Sequence, residues 1–556
     1  MALNLGGVPI LILKEGTERT TKRKAQMNNI AAGKVIAEAV KSALGPRGMD
    51  KMLVDSLGDI VITNDGATIL DEMDVKHPAA KMMVQVAKAQ DDEVGDGTTS
   101  AVIIAGQLLK GSEELLESKI HPTTIVAGLK KAATKATEIL DNMAVDIDPE
   151  DVATLKKVAM TAMNSKSIAG SKDLFADITA KAIGLVKEDR NGKLVADLDH
   201  VSIVKKQGMG LTDTELVRGM VIDKEILHPA MPRRVTNARI AILDAALEIE
   251  KTEFDAEIRI SDPFQVKALM EEEDRMLKSL AEKVINTGAN VLLCQKGIED
   301  DIVGFLAKAG ILSVRRVKKS DMKRLARATG GRIVSNVKEL SADVLGSAGV
   351  VEEATLGDDK MVYIRDCADP KAVTVVIRGG SSQVVDEAER ALHDALCVVR
   401  NAVQDKKIVA GGGAPEIEVA KGLREYAGTI GGREQIAIEI FADALETIPK
   451  TLGENAGWDP ITIIVELRAK HETPEGKWFG INVYTGKPSD MMSEGVIEPL
   501  SVKKQAIKSA SEAAHMILRI DDVIASKAER GPPMPPGGMG GMPPGMGGMG
   551  GMPGMM

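Results

Sequence analysis

The sequence predicts a multi-domain protein in which mostly α-helical segments at both ends flank an inserted block of α/β type. Three observations predict this architecture. The chain has 556 residues. A single hydrophobic core rarely supports so long a chain, so we expect two to four domains. Aromatic residues make up only 2% of the chain, which favours helices packed through Ala, Val, Ile, Leu and Met. Apolar residues recur with a helical period near both ends, whereas strands and helices alternate in the middle.

The first helical segment extends from about residue 28 to residue 145. A helix is expected over residues 77–89, and Thr98 begins another that runs past the next three turns. A third helix, over residues 123–140, carries an apolar stripe formed by Ile125, Leu129, Ala132, Ala136 and Ile139.

The middle of the chain alternates between strands and helices, with short turns that contain glycine. A long helix is expected over residues 263–286. This alternation is typical of a parallel α/β unit. The expected strands are 238–243, 290–294, 311–317 and 332–334, and the shorter helices are 299–308 and 321–329.

Helical periodicity returns after about Ala402, with helices expected over residues 434–452 and 502–526. Two helical segments around an inserted block suggest one discontinuous domain. Residues 531–556 contain only Gly, Pro and Met. Such a composition holds neither helix nor sheet, so we expect a disordered tail suited to weak apolar contacts.

Composition and charge exclude several classes of function. The formal net charge of -10 argues against a nucleic-acid partner, which would need a clustered basic face. The three cysteines are far apart and suit a reducing compartment rather than disulfides or a metal site. No apolar run approaches the roughly 20 residues that span a bilayer, and residues 8–13 predict a strand rather than a signal peptide. We therefore expect a cytoplasmic protein with no membrane partner.

The strongest chemical signal is Gly95-Asp96-Gly97-Thr98-Thr99. The glycines let the backbone approach a ligand, and the helix that begins at Thr98 directs free N–H groups toward the loop, which favours phosphate. Asp96 would repel a phosphate unless Mg²⁺ bridges the two, since Mg²⁺ binds one or two carboxylates together with phosphate oxygens. The segment indicates a Mg-nucleotide site, and a helix start capped by threonine is the alternative.

Standard nucleotide motifs do not fit this chain. Gly95-x-Gly97-x-x-Ser100 lacks the third glycine of a dinucleotide fingerprint. The segment 480–488 has five residues between its glycines and proline after its lysine, so it is not a P-loop. A nucleotide site in this chain would belong to a less common fold.

Four segments resemble the signature motifs of the group II chaperonins, the thermosome type. Their order and separations match that family, and the resemblance extends from about Val8 to the tail. Pro415 departs from many relatives, but it follows the glycines of the last motif. The four segments are Leu44–Met52, Asp59–Ile69, Gly95–Ser100 and Gly411–Glu416.

The resemblance implies that the protein binds ATP or ADP with Mg²⁺ and hydrolyses ATP. It implies that Asp96 holds Mg²⁺, that Asp65 helps to position the attacking water, and that Asp394 orients or deprotonates it after domain closure. The helical pattern alone places Asp394 on an exposed, inert polar face. The residues expected to contact the nucleotide are Leu44, Gly45, Pro46, Gly97, Thr98, Thr99, Ser100, Lys166, Gly412, Gly413 and Glu498.

The resemblance also implies three domains. These are a mostly α-helical equatorial domain, an α+β intermediate hinge domain and an α/β apical domain with a built-in helical lid at about residues 248–283. The expected boundaries are 1–150 and 405–530 for the equatorial domain, 151–222 and 371–404 for the intermediate domain, 223–370 for the apical domain and 531–556 for the tail.

The implied function is ATP-dependent capture and enclosure of non-native proteins. The implied partners are identical or sister subunits in two stacked rings, with no separate lid co-chaperonin. Lid residues Phe254, Ile258 and Ile260 are expected to contact neighbouring lids or client.

Other interpretations stay open at this point. The candidate client-binding residues are Ile302, Phe305 and Leu306, for which a core-facing stripe is the alternative. One rival function is an enzyme that phosphorylates a small molecule in the α/β block, and another is a holdase that binds chains without using ATP.

Overall fold

The computed structural model describes residues 2–5, 8–11, 17–166, 168, 170–249, 263–357, 359–368 and 370–526. Its contacts divide the chain into two compact units, residues 1–26 with 520–556 and residues 27–519. Over the part of the chain described, no helix is both long and apolar enough to cross a membrane.

Helix boundaries follow the local signals that predict them. His77 caps its helix by accepting the Ala79 N–H at 3.2 Å, and Pro78 occupies the first turn. His121 and Pro122 begin another long helix in the same way. The α-helices are α1 (Lys22–Lys41), α2 (Gly66–Glu72), α3 (Pro78–Val94), α4 (Thr98–Glu117), α5 (Pro122–Met143), α6 (Val152–Ala162), α7 (Lys172–Val186), α8 (Pro263–Ile285), α9 (Asp300–Lys308), α10 (Lys319–Thr329), α11 (Ser382–Asp405), α12 (Ala414–Ile430), α13 (Gly432–Leu445), α14 (Thr447–Asn455), α15 (Pro460–His471), α16 (Met491–Glu494) and α17 (Leu500–Leu518).

The strands are short and belong mostly to small sheets. They are β1 (Ala2–Leu5), β2 (Val8–Leu11), β3 (Thr17–Thr21), β4 (Lys51–Val54), β5 (Ile60–Thr63), β6 (Val145–Asp146), β7 (Lys187–Arg190), β8 (Lys193–Ala196), β9 (Val201–Gln207), β10 (Glu215–Val217), β11 (Met220–Ile222), β12 (Arg234–Leu243), β13 (Val291–Cys294), β14 (Leu312–Val314), β15 (Ile333–Val334), β16 (Gly346–Leu356), β17 (Asp359–Arg365), β18 (Val373–Gly379), β19 (Lys407–Ala410), β20 (Phe479–Asn482), β21 (Lys487–Asp490), β22 (Ile497–Pro499) and β23 (Asp522–Ser526).

The largest sheet has seven strands in the order β11-β17-β16-β12-β13-β14, with β15 paired to β12. Strands β12, β13, β14 and β15 run parallel, as the alternation of strands and helices predicts. Strands β16, β17 and β11 extend the sheet in antiparallel fashion. The sheet is therefore mixed, and the expectation of a parallel unit is correct for one half of it.

The first unit consists of strand pairs. Strand β3 pairs with β23, and β1 pairs with β2, both antiparallel. The helix expected over residues 502–526 therefore ends at Leu518, and its last part is a strand. The partner strand lies about 500 positions away in sequence, so local periodicity does not reveal it.

Buried apolar side chains of the second unit form three large clusters. The first joins residues 30–143 with 409–518, so helices from both ends of the chain share one core. The second lies within residues 220–372. The third joins residues 155–201 with 373–408 and Ile497. The clusters follow the order of the expected domains, whose boundaries stay a prediction.

Helix α8 divides into a buried half and an exposed part. Leu277 and Ala281 are buried in the second cluster, whereas Leu269 and Met270 are 51% and 63% exposed. The expected lid at about residues 248–283 includes this exposed part, and its bounds stay a prediction. Phe254, Ile258 and Ile260 lie outside the described residues, as does the tail 531–556.

Candidate active site

The loop between α3 and α4 presents an uncapped helix start. Gly97 is the N-cap of α4 and supplies no side-chain cap, whereas Asp96 Oδ1 accepts the N–H of Gly97 itself at 2.6 Å. A threonine cap, the alternative interpretation, is therefore wrong. The free N–H groups and the positive end of the helix dipole make this terminus a site for phosphate.

Gly97 is required at this position by its conformation and its neighbours. Its φ of 76° lies in the left-handed region. A Cβ atom would lie 3.0 Å from Val502 Cγ1 and 3.2 Å from Gln90 Nε2. Gln90 is fully buried and donates to the carbonyl oxygens of Asp96 at 2.8 Å and Val502 at 3.2 Å. The amide of Gln90 thereby fixes the loop against α17.

A cleft in the second unit brings most of the predicted site residues together. It encloses about 1140 Å³ of space, open solvent included, which is ample for a small-molecule ligand. Asp394 does not line the cleft itself. It contacts Lys166, whose side chain does. The predicted residues that do line it are Leu44, Gly45, Pro46, Asp65, Asp96, Gly97, Thr98, Thr99, Ser100, Lys166, Gly412, Gly413 and Glu498.

Asp65 is held at the start of α2 by hydrogen bonds to both of its oxygens. Oδ2 accepts the N–H and the hydroxyl of Thr68, both at 2.9 Å. Oδ1 accepts the Thr98 hydroxyl at 3.4 Å and lies 3.5 Å from Lys166 Nζ. Burial alone would raise the pKa of Asp65, but the charge of Lys166 and the Thr68 hydrogen bonds outweigh it and lower this pKa. The carboxylate is therefore ionised at neutral pH.

Lys166 joins Asp65 to Asp394. Its Nζ lies 3.1 Å from Asp394 Oδ2, and both side chains are buried. Burial alone would lower the pKa of Lys166, but the carboxylates of Asp394, Asp65 and Glu387 raise it above its usual value. Lys166 is therefore a charged, buried lysine and not a surface residue.

Asp394 is only 7% exposed, so the exposed position inferred from the helical pattern is wrong. Its helix α11 buries the expected stripe, but it also packs against β5 and the turn before Lys166. A helix that is covered on two sides buries polar positions that an amphipathic pattern assigns to solvent.

Asp96 fits the role of a cation ligand. Burial, followed by the charges of Asp394 and Glu498, raises the pKa of Asp96 to about 7. A divalent cation would favour its charged form and offset the repulsion from its acidic neighbours. No group of three or more His, Cys, Asp or Glu side chains within the described ranges could hold a metal ion. The raised pKa of the Asp96 carboxyl, beside other carboxylates, fits a cation such as Mg²⁺, which binds one or two carboxylates together with phosphate oxygens.

Lys503 is a site residue that the sequence analysis missed. Its Nζ lies 2.9 Å from Glu416 Oε1 and 2.9 Å from Glu498 Oε2, and the lysine lines the cleft. In sequence, Lys503 and Lys504 look like a solvated helix face. Only the burial of α17 distinguishes the first lysine from the second.

The segment 480–488, which is not a P-loop, also contributes to the cleft. Ile481, Asn482, Val483 and Tyr484 line one wall. The backbone N–H of Ile481 donates to the carbonyl of Gly412 at 2.8 Å, which ties this wall to the glycine loop. No motif in the sequence marks these residues.

The candidate client face on α9 is mostly internal. Ile302 and Leu306 are fully buried in the second cluster, and only Phe305 is partly exposed. The assignment of Ile302 and Leu306 to client binding is therefore wrong in this structure, and the core-facing alternative is correct. Their side chains cover the sheet beneath α9.

Comparison with known proteins identifies the relatives of the chain. Residues 36–528 match the model of the TCP-1/cpn60 chaperonin family. A thermosome subunit from Methanopyrus kandleri is 58% identical, covering 95% of this chain and 97% of the relative. The thermosome subunits alpha and beta of Archaeoglobus fulgidus are 57% and 55% identical, covering 96% and 94% of this chain and 98% and 96% of the relatives.

Replacement of Lys503 tests the buried charge cluster. Lys503→Met would leave the buried Glu416 and the partly buried Glu498 without a cation, so we expect a loss of about 3 kcal/mol in the free energy of unfolding. The pKa of Lys503 is raised because the two carboxylates outweigh the effect of burial. Its stabilising contribution is therefore present at neutral pH and lost only in strong alkali.

Chemical denaturation of both proteins at several pH values measures the effect. The deficit in the free energy of unfolding should be present at neutral pH and should shrink only in strong alkali, where the wild-type protein loses the charge of Lys503. The control is Lys504→Met. Lys504 forms a surface ion pair with Asp141, so its replacement should lower the free energy of unfolding by less than about 1 kcal/mol. Equal losses in the two variants would contradict this assignment.

Proposed function

The chain belongs to the TCP-1/cpn60 chaperonin family, and we propose that it is an ATP-hydrolysing subunit of a double-ring group II chaperonin that encloses non-native proteins for folding. The observation that carries this proposal is the position of the buried Asp65–Lys166–Asp394 cluster beside the uncapped start of α4. The cluster and the helix start together suit binding and hydrolysis of a triphosphate.

The start of α4 and the surrounding loops would bind the nucleotide. The free N–H groups of Thr98 and the residues that follow it, with the hydroxyls of Thr99 and Ser100, would donate to phosphate oxygens, while the Thr98 hydroxyl donates to Asp65. Asp96 and the phosphates would hold Mg²⁺, which would neutralise the charge that develops during phosphoryl transfer. On the other side of the cleft, Gly412, Gly413 and Glu498 would contact the ribose and base.

Two carboxylates are available to act on the attacking water. Asp65 and Asp394 share the ammonium of Lys166 at 3.5 Å and 3.1 Å. Asp65 has hydrogen-bond partners on both oxygens, which suits a positioning role. Asp394 comes from a different part of the chain and suits the role of general base once it faces the cleft.

Helix α11 would couple hydrolysis to closure of the ring. Arg390 Nη2 donates to the Ile62 carbonyl at 3.2 Å, close to Asp65. Arg400 Nη2 and Asn401 Nδ2 donate to the carbonyls of Glu93 at 3.1 Å and Val94 at 2.8 Å, at the end of α3. A shift of α11 would therefore be transmitted to both sides of the nucleotide loop. ATP would favour the closed state because that state completes the site.

The remaining parts of the proposal concern assembly. The three expected domains would correspond to the three buried clusters, and the segment before Met270 would form the lid. The relatives from Archaeoglobus fulgidus are named alpha and beta subunits, which supports a ring of identical or sister subunits. We place this assembly in the cytoplasm.

Electron microscopy and ATP turnover test the proposed function directly. The purified chain should form double rings in negative stain, and its ATP turnover should fall to background when Mg²⁺ is chelated. A monomer or dimer with substrate-dependent turnover would favour the small-molecule enzyme. Intact rings with no turnover would favour the holdase.

Replacement of Asp394 tests the proposed base. Asp394→Ala should fold and bind ATP, because Asp394 does not line the cleft, but hydrolyse it about a hundredfold more slowly or worse. Single-turnover hydrolysis and nucleotide binding separate the two effects. The control is Asp386→Ala on the same helix, where the aspartate pairs with Lys205 at the surface. Wild-type turnover in Asp394→Ala would remove Asp394 from the mechanism.

Deletion of residues 250–270 tests the lid. The deletion spares Leu277 and Ala281, which belong to the core, so the domain should fold. We expect ATP turnover to persist while protection of a bound, unfolded client from protease is lost. Full protection in the deletion variant would contradict the assignment of this segment as the lid.

A further inference from the structure

Three carboxylates act on the charge of Lys166, and the ion pairs of its ammonium involve two of them. Its ammonium pairs with Asp394 and Asp65, the two carboxylates proposed to act on water. An ammonium that donates to a carboxylate competes with water for the same lone pairs. For Asp394 to accept a proton, the charge of Lys166 therefore needs another partner.

Glu387 lies where such a partner is needed. It precedes Asp394 by two turns of α11, on the same face, and it is only 7% exposed. One oxygen, Oε2, accepts from Arg390 Nε at 3.0 Å and pairs with Arg390 Nη2 at 2.9 Å. The other oxygen, Oε1, is buried and accepts no hydrogen bond of normal geometry from the described residues, although the Thr63 hydroxyl faces this carboxylate and lowers its pKa. A buried acceptor without a donor is costly, so it calls for an explanation.

The charges of Glu387 and Lys166 act on one another. Burial raises the pKa of Glu387, and Lys166 is the first of the cations that oppose this rise. Glu387 in turn is one of the carboxylates that raise the pKa of Lys166. Each group therefore stabilises the charge of the other, while the direct ion pairs of the ammonium are those with Asp394 and Asp65.

Arg390 connects Glu387 to the strand that precedes Asp65. While Glu387 binds the guanidinium, Arg390 Nη2 also donates to the Ile62 carbonyl in β5. The Glu387–Arg390 pair thereby attaches the helix that carries Asp394 to the segment that carries Asp65. Loss of the charge on Glu387 would weaken this attachment. It would also remove one of the negative charges that stabilise the ammonium of Lys166.

We propose that Glu387 is a positioning residue for ATP hydrolysis, which holds α11 against β5 through Arg390 and balances the charge of Lys166 when Asp394 acts on water. This inference rests on the proposed ATPase function. It concerns a residue that touches neither the cleft nor the nucleotide, since Glu387 does not line the site.

The variant Glu387→Gln keeps the shape of the side chain and removes its charge. We expect kcat for ATP hydrolysis to fall about tenfold, because a catalytic group is displaced slightly, while the Kd for ATP stays unchanged. Glu387→Asp keeps the charge and should recover part of the loss. The matched control is Glu389→Gln on the same helix, which pairs with Lys205 at the surface and should turn over normally.

A double-mutant cycle shows whether Glu387 acts through Lys166. In a Lys166→Met background, Glu387→Gln should cause much less further loss of kcat than it does in the wild type. A full additional loss in that background would overturn the inference. Unchanged turnover in Glu387→Gln alone would overturn it as well, as would a failure of both Glu387 variants to assemble, which would indicate a purely structural role.

Wild-type turnover separates this inference from the function on which it rests. A wild-type chain without Mg²⁺-dependent ATP hydrolysis would overturn both proposals. Normal wild-type hydrolysis together with an unaffected Glu387→Gln variant would overturn only the role of Glu387.

Discussion

The charge balance around Lys166 is the constraint on which the rest of the site depends. One buried ammonium lies between carboxylates from two separate parts of the chain, Asp65 before α2 and Asp394 on α11. A buried ion pair repays its desolvation only when its geometry is good and its other polar atoms are bonded. Thr68 and Thr98 supply those bonds to Asp65. The cluster is therefore stable enough to persist and polar enough to respond to a bound phosphate.

Close packing of small residues transmits such a response. A Cβ atom on Gly95 would lie 2.2 Å from Cys397 Cβ, so α11 contacts the nucleotide loop directly. Asn401 and Arg400 add hydrogen bonds from the same helix to the end of α3. Well-packed interiors shift as units rather than deform locally. If Asp394 moved toward the cleft, as proposed, these contacts would move the loop with it.

Two errors of the sequence analysis share one physical cause. Asp394 was expected on an exposed face, and Ile302 and Leu306 were candidates for a client surface, yet all three are buried. Helical periodicity identifies a polar and an apolar face, but it does not show what covers either of them. Lys503 escaped notice for the same reason, because its acidic partners come from elsewhere in the chain.

Local sequence patterns predict helices such as α3, α4, α5 and α8, the parallel half of the large sheet, the glycine-flanked loop before α4 and, through four motifs, the family. These features depend on local spacing and backbone preference, which a short window of residues contains. Long-range contacts, by contrast, place Lys166 between Asp65 and Asp394, join Lys503 to Glu416 and Glu498, and pair β23 with β3. Each of these depends on contacts between distant segments, because burial and charge pairing are set by the neighbours that folding supplies.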